Sequence, residues 1–377
     1  MLWDIFCRVI DNLGDLGVCW RLSADLAARG HSVRLWVDDG QALHWMAPGA
    51  LEGNWPGVAV LPWQQSVNPQ RLQSLIPADV WIEAFGCDVP EPFVAHRVQA
   101  LANAVIGDGP ATSCKPPTWL NLEYLSAESY VERSHALPSP LMHGPARGWT
   151  KTFFYPGFTA QTGGLLREPD LLERMAQEST AAARSQFFTT VGVPWQGEQV
   201  VTLFCYEPAL LSDLLEQLAA SPKRTLLLVT AGRATRAVQA LQDAQTSLGN
   251  LRLAYLPTLT QLDFDRLLWH ADVNFVRGED SVLRALWAGK PFVWHIYPQE
   301  DQAHEPKLEA FLDRLELGPE VRQLHRAWNG LLPQSALAAL QPPALPQWRA
   351  EVLAARASLL KMDDLVGQLT AFVRNQR

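Results

Sequence analysis

Between residues 199 and 296 the chain alternates short, continuously apolar runs with stretches of helical period, and few folds accept that rhythm. The runs fall near 199–205, 225–230, 251–255, 272–276 and 291–296; helical patterns fill 208–220, 233–246, 259–270 and 281–288. A strand that is apolar on both faces needs cover on both, which parallel sheets obtain from crossover helices. The expectation is a doubly wound α/β sheet. The first half opens the same way: a strand over 3–10, a loop from Asp11 to Gly17, a helix over 18–28 closed by Gly30, and a strand over 32–37. Residues 79–85 and 104–107 read as further strands, and 107–165, rich in Pro, Gly and aromatic residues, stays partly unassigned.

At 377 residues the chain exceeds what one core usually supports, so two Rossmann-like domains are expected. Residues 177–197 lack a sustained apolar period and end in Gly-Val-Pro-Trp-Gln-Gly, which places the boundary there. The domains are then 1–182 and 183–357, with a helical tail from about 358 that can pack back on the first. The stretch 318–346, with five prolines, reads as irregular cover.

Hydrophobic residues make up 48% and charged residues 19%, a globular balance. A net charge of −8 without any run of Lys or Arg argues against nucleic-acid and anionic-membrane surfaces. Fifteen tryptophans are scattered along the chain. The five cysteines, odd in number and without a Cys-x-x-Cys pair, suggest reduced thiols in the cytoplasm and no zinc site. Asp4, Arg8, Asp11 and Asp15 interrupt the N-terminus, so no signal peptide is expected, and no apolar run has the length of a membrane span.

Two such domains should face one another across a cleft, with ligands beyond the carboxyl ends of the strands. One segment stands out: Asp272 to Tyr297 reads as strand, turn, helix and strand, with Arg277, Glu279, Asp280 and Ser281 in the turn. A helix starting at Ser281 leaves amides free for a phosphate beside the Arg277 guanidinium. Asp280 or Ser281 also reads as an ordinary cap for a helix closed by Gly289. The acidic pair disfavours a bare phosphate and suits a ligand that also carries hydroxyls, such as a nucleotide sugar.

The loop Asp11-Asn-Leu-Gly-Asp-Leu-Gly17 lacks the Gly-x-Gly-x-x-Gly pattern, and its carboxylates would repel a pyrophosphate. A carboxylate pair suits binding a cation or removing a proton. The alternative is a cap and a solvated surface aspartate. Asp263-Phe-Asp265 matches a metal-holding Asp-x-Asp pattern, but in a helical run the two aspartates diverge on the helix surface. Gln261 and Phe264 share a helical face and can offer an amide and a ring to a base, while Phe264 also fits core packing. No histidine shows ligand or triad spacing.

Several strings, in this order and spacing, carry a resemblance. They are Asp11 with Asp15, Asn121-Leu-Glu-Tyr-Leu-Ser-Ala-Glu128, Leu137-Pro-Ser-Pro140, Phe153-Phe-Tyr-Pro-Gly-Phe158, Thr162-Gly-Gly-Leu-Leu-Arg-Glu168 and Phe275-Val-Arg-Gly-Glu-Asp-Ser281. Over nearly the whole chain, apart from about 318–350, the sequence resembles the bacterial protein-arginine rhamnosyltransferases of elongation factor P. That resemblance implies a GT-B fold and an inverting, metal-independent transfer of rhamnose from dTDP-β-L-rhamnose to an arginine of elongation factor P. The resemblance further implies that the modified factor is activated to rescue ribosomes stalled at polyproline. By the same resemblance, Gln261 and Phe264 hold the thymine and Arg277, Ser281 and Tyr297 the diphosphate, with Asp280 beside them. Glu279 supports turnover, Asp15 is the base and Asp11 orients the acceptor. No cofactor is implied, and neither nucleic acid nor membrane is a partner. The rival readings are a GT-B enzyme with a lipid or small-molecule acceptor, a nucleotide-sugar epimerase, and a module that binds without chemistry.

Overall fold

Runs of Val, Leu, Phe and Trp bounded by Gly, Pro or Asp form the strands, and every strand but one lies parallel to its neighbours. The computed structural model describes residues 1–9, 13–106, 115–242, 249–298, 304–332 and 344–376. These form two units, Met1–Glu168 with Met362–Arg377, and Pro169–Lys361.

In the first unit the order is β1 (Leu2–Cys7), α1 (Gly14–Ala28), β2 (Ser32–Val37), α2 (Leu43–Met46), β3 (Val58–Pro62), α3 (Pro69–Gln73), β4 (Val80–Ala84), α4 (Glu91–Ile106), β5 (Thr118–Leu122), α5 (Tyr130–Ser134), β6 (Pro138–Pro140) and β7 (Thr150–Phe154). The sheet runs β3-β2-β1-β4-β5-β7-β6, with β6 antiparallel to β7. Tryptophans scattered in sequence converge here. Trp36, Trp81 and Trp119 pack with Phe6 and Phe93 in one core, rings meeting mostly edge to face. Beneath them Asp4 is buried and accepts a bidentate pair of bonds from Arg34 and a third from Trp36 Nε1. Burial pushes its pKa up, and those three donors oppose the shift.

The second unit holds α6 (Leu171–Gln177), α7 (Ala181–Thr190), β8 (Gln199–Leu203), α8 (Leu211–Ala220), β9 (Thr225–Val229), α9 (Arg233–Gln242), β10 (Leu251–Tyr255), α10 (Gln261–His270), β11 (Val273–Arg277), α11 (Glu279–Ala288), β12 (Phe292–His295), α12 (His304–Arg314), α13 (Pro319–Trp328) and α14 (Leu345–Leu359). Its sheet runs β10-β9-β8-β11-β12, all parallel. The last helix, α15 (Leu365–Asn375), returns to the first unit. Asp364 caps it and pairs with Arg29 at the end of α1. The Thr162-Gly-Gly string serves this return. Gly164 has φ +75°, and a Cβ there would lie 2.5 Å from the Asp363 carbonyl oxygen.

The structure corrects several expectations. Residues 104–106 continue α4 instead of forming a strand, because the helix begun at Glu91 carries its period through them. Residues 177–197 contain the whole of α7, whose Phe187 and Phe188 are buried in the core of the second unit, and the units divide at 168/169 instead of 182/183. Proline begins α13 at its first position, where the missing N–H does no harm, so 319–328 is helix instead of irregular cover. Residues 333–343 lie outside the described residues.

Asp265 does not diverge onto the helix surface. It is fully buried and accepts two bonds from Arg284, at 3.0 and 2.7 Å, joining α10 to α11. Removing one member of such a pair strands the other charge in the core, which costs about 3–5 kcal/mol. Asp265→Ala is expected to lose about that much in urea unfolding, while Asp263→Ala, on the partly exposed first turn, should change stability by less than about 1 kcal/mol.

Candidate active site

In an open parallel sheet, the crevice forms where the chain reverses its direction of winding. In the second unit the winding runs outward from β8 to β10, then restarts at β11 on the other side of β8. The carboxyl ends of β8 and β11 are therefore the switch point. Phe204 and Tyr206 follow β8; Arg277 ends β11. The Phe204 N–H donates to the Phe275 carbonyl at 2.9 Å, carrying the pairing just past the end of β8.

The Arg277 guanidinium carbon lies 4.6 Å from the centres of both the Phe204 and Tyr206 rings. Such ring contacts hold the plane without using its N–H groups. Nη1 of Arg277 is buried and has no hydrogen-bond partner among the described residues. Burial lowers the arginine pKa, the mark of a cation short of solvation. An anion placed here would meet an ordered, underused donor.

The next residue shapes the cradle. Gly278 adopts φ +72° and ψ 175°, and a Cβ built on it would meet nothing within 4 Å. Trp294 Nε1 holds its carbonyl at 3.0 Å. The helix then begins at Glu279 instead of Ser281, because Gly278 alone can turn the chain this way, and no side chain caps it. Glu279 and Asp280 thus occupy the first turn, where acids are favoured by the helix dipole. Lys307 on α12 meets Glu279 Oε1 at 2.5 Å, which offsets the repulsion a phosphate would feel. Ser281 is buried in the same turn.

Other sequence candidates join the same group. Phe264 meets Phe204 edge-on at 5.4 Å, and Gln261 opens α10 one turn before it. Tyr297, half-exposed, meets Tyr206 edge-on at 5.4 Å. Phe264, Phe204, Arg277, Tyr206 and Tyr297 therefore form one chain of ring contacts along the edge. Sequence reading overlooked Phe204, Tyr206, His295 and Lys307. The first two sit at the carboxyl end of an expected strand, which was the available signal. Lys307 lies in a helix with no assigned pattern.

His295, opposite Arg277 in the β11–β12 register, accepts the Tyr206 N–H at Nδ1, 3.3 Å away. Burial, and then the charges of Arg277 and His304, push its pKa down to about 3. It is a neutral imidazole beside the cation.

The first unit repeats the switch-point rule between β1 and β4. Asp15 lies in the first turn of α1, just beyond β1, with Tyr124 Oη 3.5 Å from its Oδ2. Tyr124 stacks on Phe85, at 4.9 Å and 28°, and Phe85 itself holds φ +58°. A non-glycine residue in that region is strained, and such strain concentrates at functional sites. Cys19 and Cys87 are buried nearby; burial raises the first well above its ordinary value and the second to about 12, so both stay protonated and inert. Neighbouring Glu123 is likewise raised by burial. Asp11 lies outside the described residues, as does Cys114.

Two α/β units built on parallel sheets, each with candidate residues at its switch point, are the architecture of the GT-B fold. Comparison with known proteins narrows this. A family model described as Elongation-Factor P (EF-P) rhamnosyltransferase EarP matches residues 3–374. The protein-arginine rhamnosyltransferase of Pseudomonas aeruginosa is 43% identical over 376 residues, covering 93% of this chain and 92% of the relative. That of Shewanella oneidensis is 38% identical over 412 residues, covering 99% and 97%. The solved structure that describes EarP-mediated arginine glycosylation of translation elongation factor EF-P is 29% identical, with a TM-score of 0.64 over 100% of this chain and 99% of its own. The chain belongs to the EarP family. Among the described residues no helix is long and apolar enough to cross a membrane.

The depressed His295 value links stability to pH. Below its ordinary 6.5 the unfolded chain takes up a proton that the folded protein refuses until about pH 3, so stability falls as pH drops through that window. The loss attributable to one such group is up to about 1.4 kcal/mol per pH unit. Between pH 7 and 5 the urea midpoint of His295→Asn, which keeps an acceptor for Tyr206, should fall less than that of the unaltered protein.

Proposed function

We propose that this enzyme transfers rhamnose from dTDP-β-L-rhamnose to one arginine of elongation factor P in the bacterial cytoplasm, inverting the anomeric centre and using no metal or cofactor. The observation that carries the donor side is the Arg277 guanidinium, lying over two rings with a buried N–H group still to be satisfied. It supports a diphosphate bound by Arg277, Ser281 and Tyr297, with Asp280 beside them and the uncapped amides of α11 contributing. The edge formed by Gln261, Phe264 and Phe204 suits a flat base. Glu279, neutralised by Lys307, then sits close to the phosphates without opposing them.

The acceptor sets the harder physical problem. An arginine guanidinium has a pKa near 13.8, so holding it deprotonated at pH 7 costs about 9 kcal/mol. Proton loss must therefore accompany attack. One guanidinium nitrogen forms a bond to the anomeric carbon as the bond from that carbon to the diphosphate oxygen breaks. The nitrogen's proton passes to the Asp15 carboxylate, and the diphosphate leaves with its electron pair. Arg277 and the α11 amides stabilise the charge gathering on the leaving group more in the transition state than before it. Asp11 is assigned the orientation of the planar fork.

Two experiments test this. Intact mass spectrometry of elongation factor P, after incubation with the enzyme and dTDP-rhamnose, should show a gain of one deoxyhexose; no gain removes the assignment. Asp15→Asn should lose at least about a hundredfold in transfer rate, the usual scale for a lost general base. Its calorimetric affinity for dTDP should be unchanged. Turnover near the unaltered rate would exclude Asp15 as the base.

A further inference from the structure

A second arginine stands on the donor edge. Arg233 opens α9 immediately after Gly232, which turns the chain at φ +96°, and its guanidinium carbon lies 5.5 Å from the Tyr206 ring centre. The same ring takes Arg277 at 4.6 Å. One tyrosine therefore carries two guanidinium groups.

In the free protein two effects oppose this arrangement and only a weak ion pair favours it. Arg233 begins a helix whose first turn has no acidic residue, where the dipole opposes a positive charge. Its carboxylate neighbour, Glu207, is 3.8 Å away, and both side chains are well exposed, a pairing of little strength. The charge of Arg233 also adds to the burial that already lowers the Arg277 pKa. Local conflicts of this kind persist where binding relieves them. An anion bound beside Tyr206 would supply the compensation that the exposed Glu207 gives only weakly.

We propose that Arg233 is a binding residue for the donor, a second guanidinium that grips the diphosphate together with Arg277 across the Tyr206 ring. This rests on the nucleotide-sugar reading of the β8/β11 edge. It differs from a structural role in sign: a structural arginine stabilises the free protein, whereas this one destabilises it slightly and is repaid by the ligand.

The test compares the intact enzyme with Arg233→Gln and Arg233→Lys by calorimetric titration with dTDP and with dTMP, and by thermal unfolding without ligand. Losing a charge-assisted contact should weaken dTDP binding of Arg233→Gln by roughly ten- to hundredfold. The dTMP affinity should fall less, so the preference for diphosphate over monophosphate shrinks. Arg233→Lys should recover part of the loss, and the free Arg233→Gln protein should melt at the same temperature or higher. An unchanged preference for dTDP over dTMP overturns the proposal. So does a weakened affinity accompanied by a lower melting temperature, which marks a structural role. Failure of the unaltered protein to bind dTDP at all is a separate result that removes the nucleotide reading of the edge, and this assignment with it.

Discussion

The buried pair between Arg284 and Asp265 governs the second unit. It joins α10 to α11 through two short bonds with both side chains almost fully enclosed. Those helices carry Gln261 and Phe264 on one side and Glu279, Asp280 and Ser281 on the other. A buried charge pair is weak evidence for net stability, since apolar residues of the same volume often do as well. Its geometric demand is stricter than theirs. A bidentate fork fixes distance and rotation together, so it sets where Gln261 and Phe264 stand relative to the amides of α11.

With that frame fixed, the start of α11 becomes an electrostatic compromise. Two acids in the first turn suit the helix dipole and stabilise the free protein, yet they would oppose any anion brought to the helix start. The structure offsets this with Lys307 against Glu279 and with Arg277 immediately before the turn. His295, next to Arg277 in the sheet, stays neutral and so adds no further positive charge to that of Arg277 and Arg233. Favourable and unfavourable charges thus lie within one turn of each other. Such a site discriminates by ligand shape and charge distribution more than by total charge.

Much of the architecture was legible in the sequence for a definite reason. Parallel strands buried on both faces read as continuous apolar runs, so the second sheet's five strands fall within a residue or two of the expected positions. Short runs mislead where a neighbouring helix can absorb them, as at 104–106. The start of α11 was misplaced because capping residue types suggested Ser281, whereas the backbone freedom of Gly278 decided it. Asp265 was misread because helical spacing tells where a side chain points, but not that an arginine nineteen residues on will meet it. Phe204 and Tyr206 carry no motif at all. Their role comes from winding order, which emerges only once the strands are placed.

The same rule explains why both units put their unusual residues at the same place. A strand's carboxyl end at a switch point has neighbouring helices that diverge, so backbone and side chains there are left without partners that other positions enjoy. In the second unit this leaves an arginine nitrogen unsatisfied; in the first it leaves Phe85 at positive φ beneath Tyr124, close to Asp15. The chemistry each group can do differs with its surroundings. The thiols near Asp15 are kept protonated and inert by burial, which leaves carboxylates, Asp15 and Glu123, as the ionisable acids on that edge. A carboxylate cannot deprotonate a guanidinium in advance. It can accept the proton only as the new bond lowers the nitrogen's basicity, and that timing makes a strongly basic acceptor usable without a strongly basic catalyst.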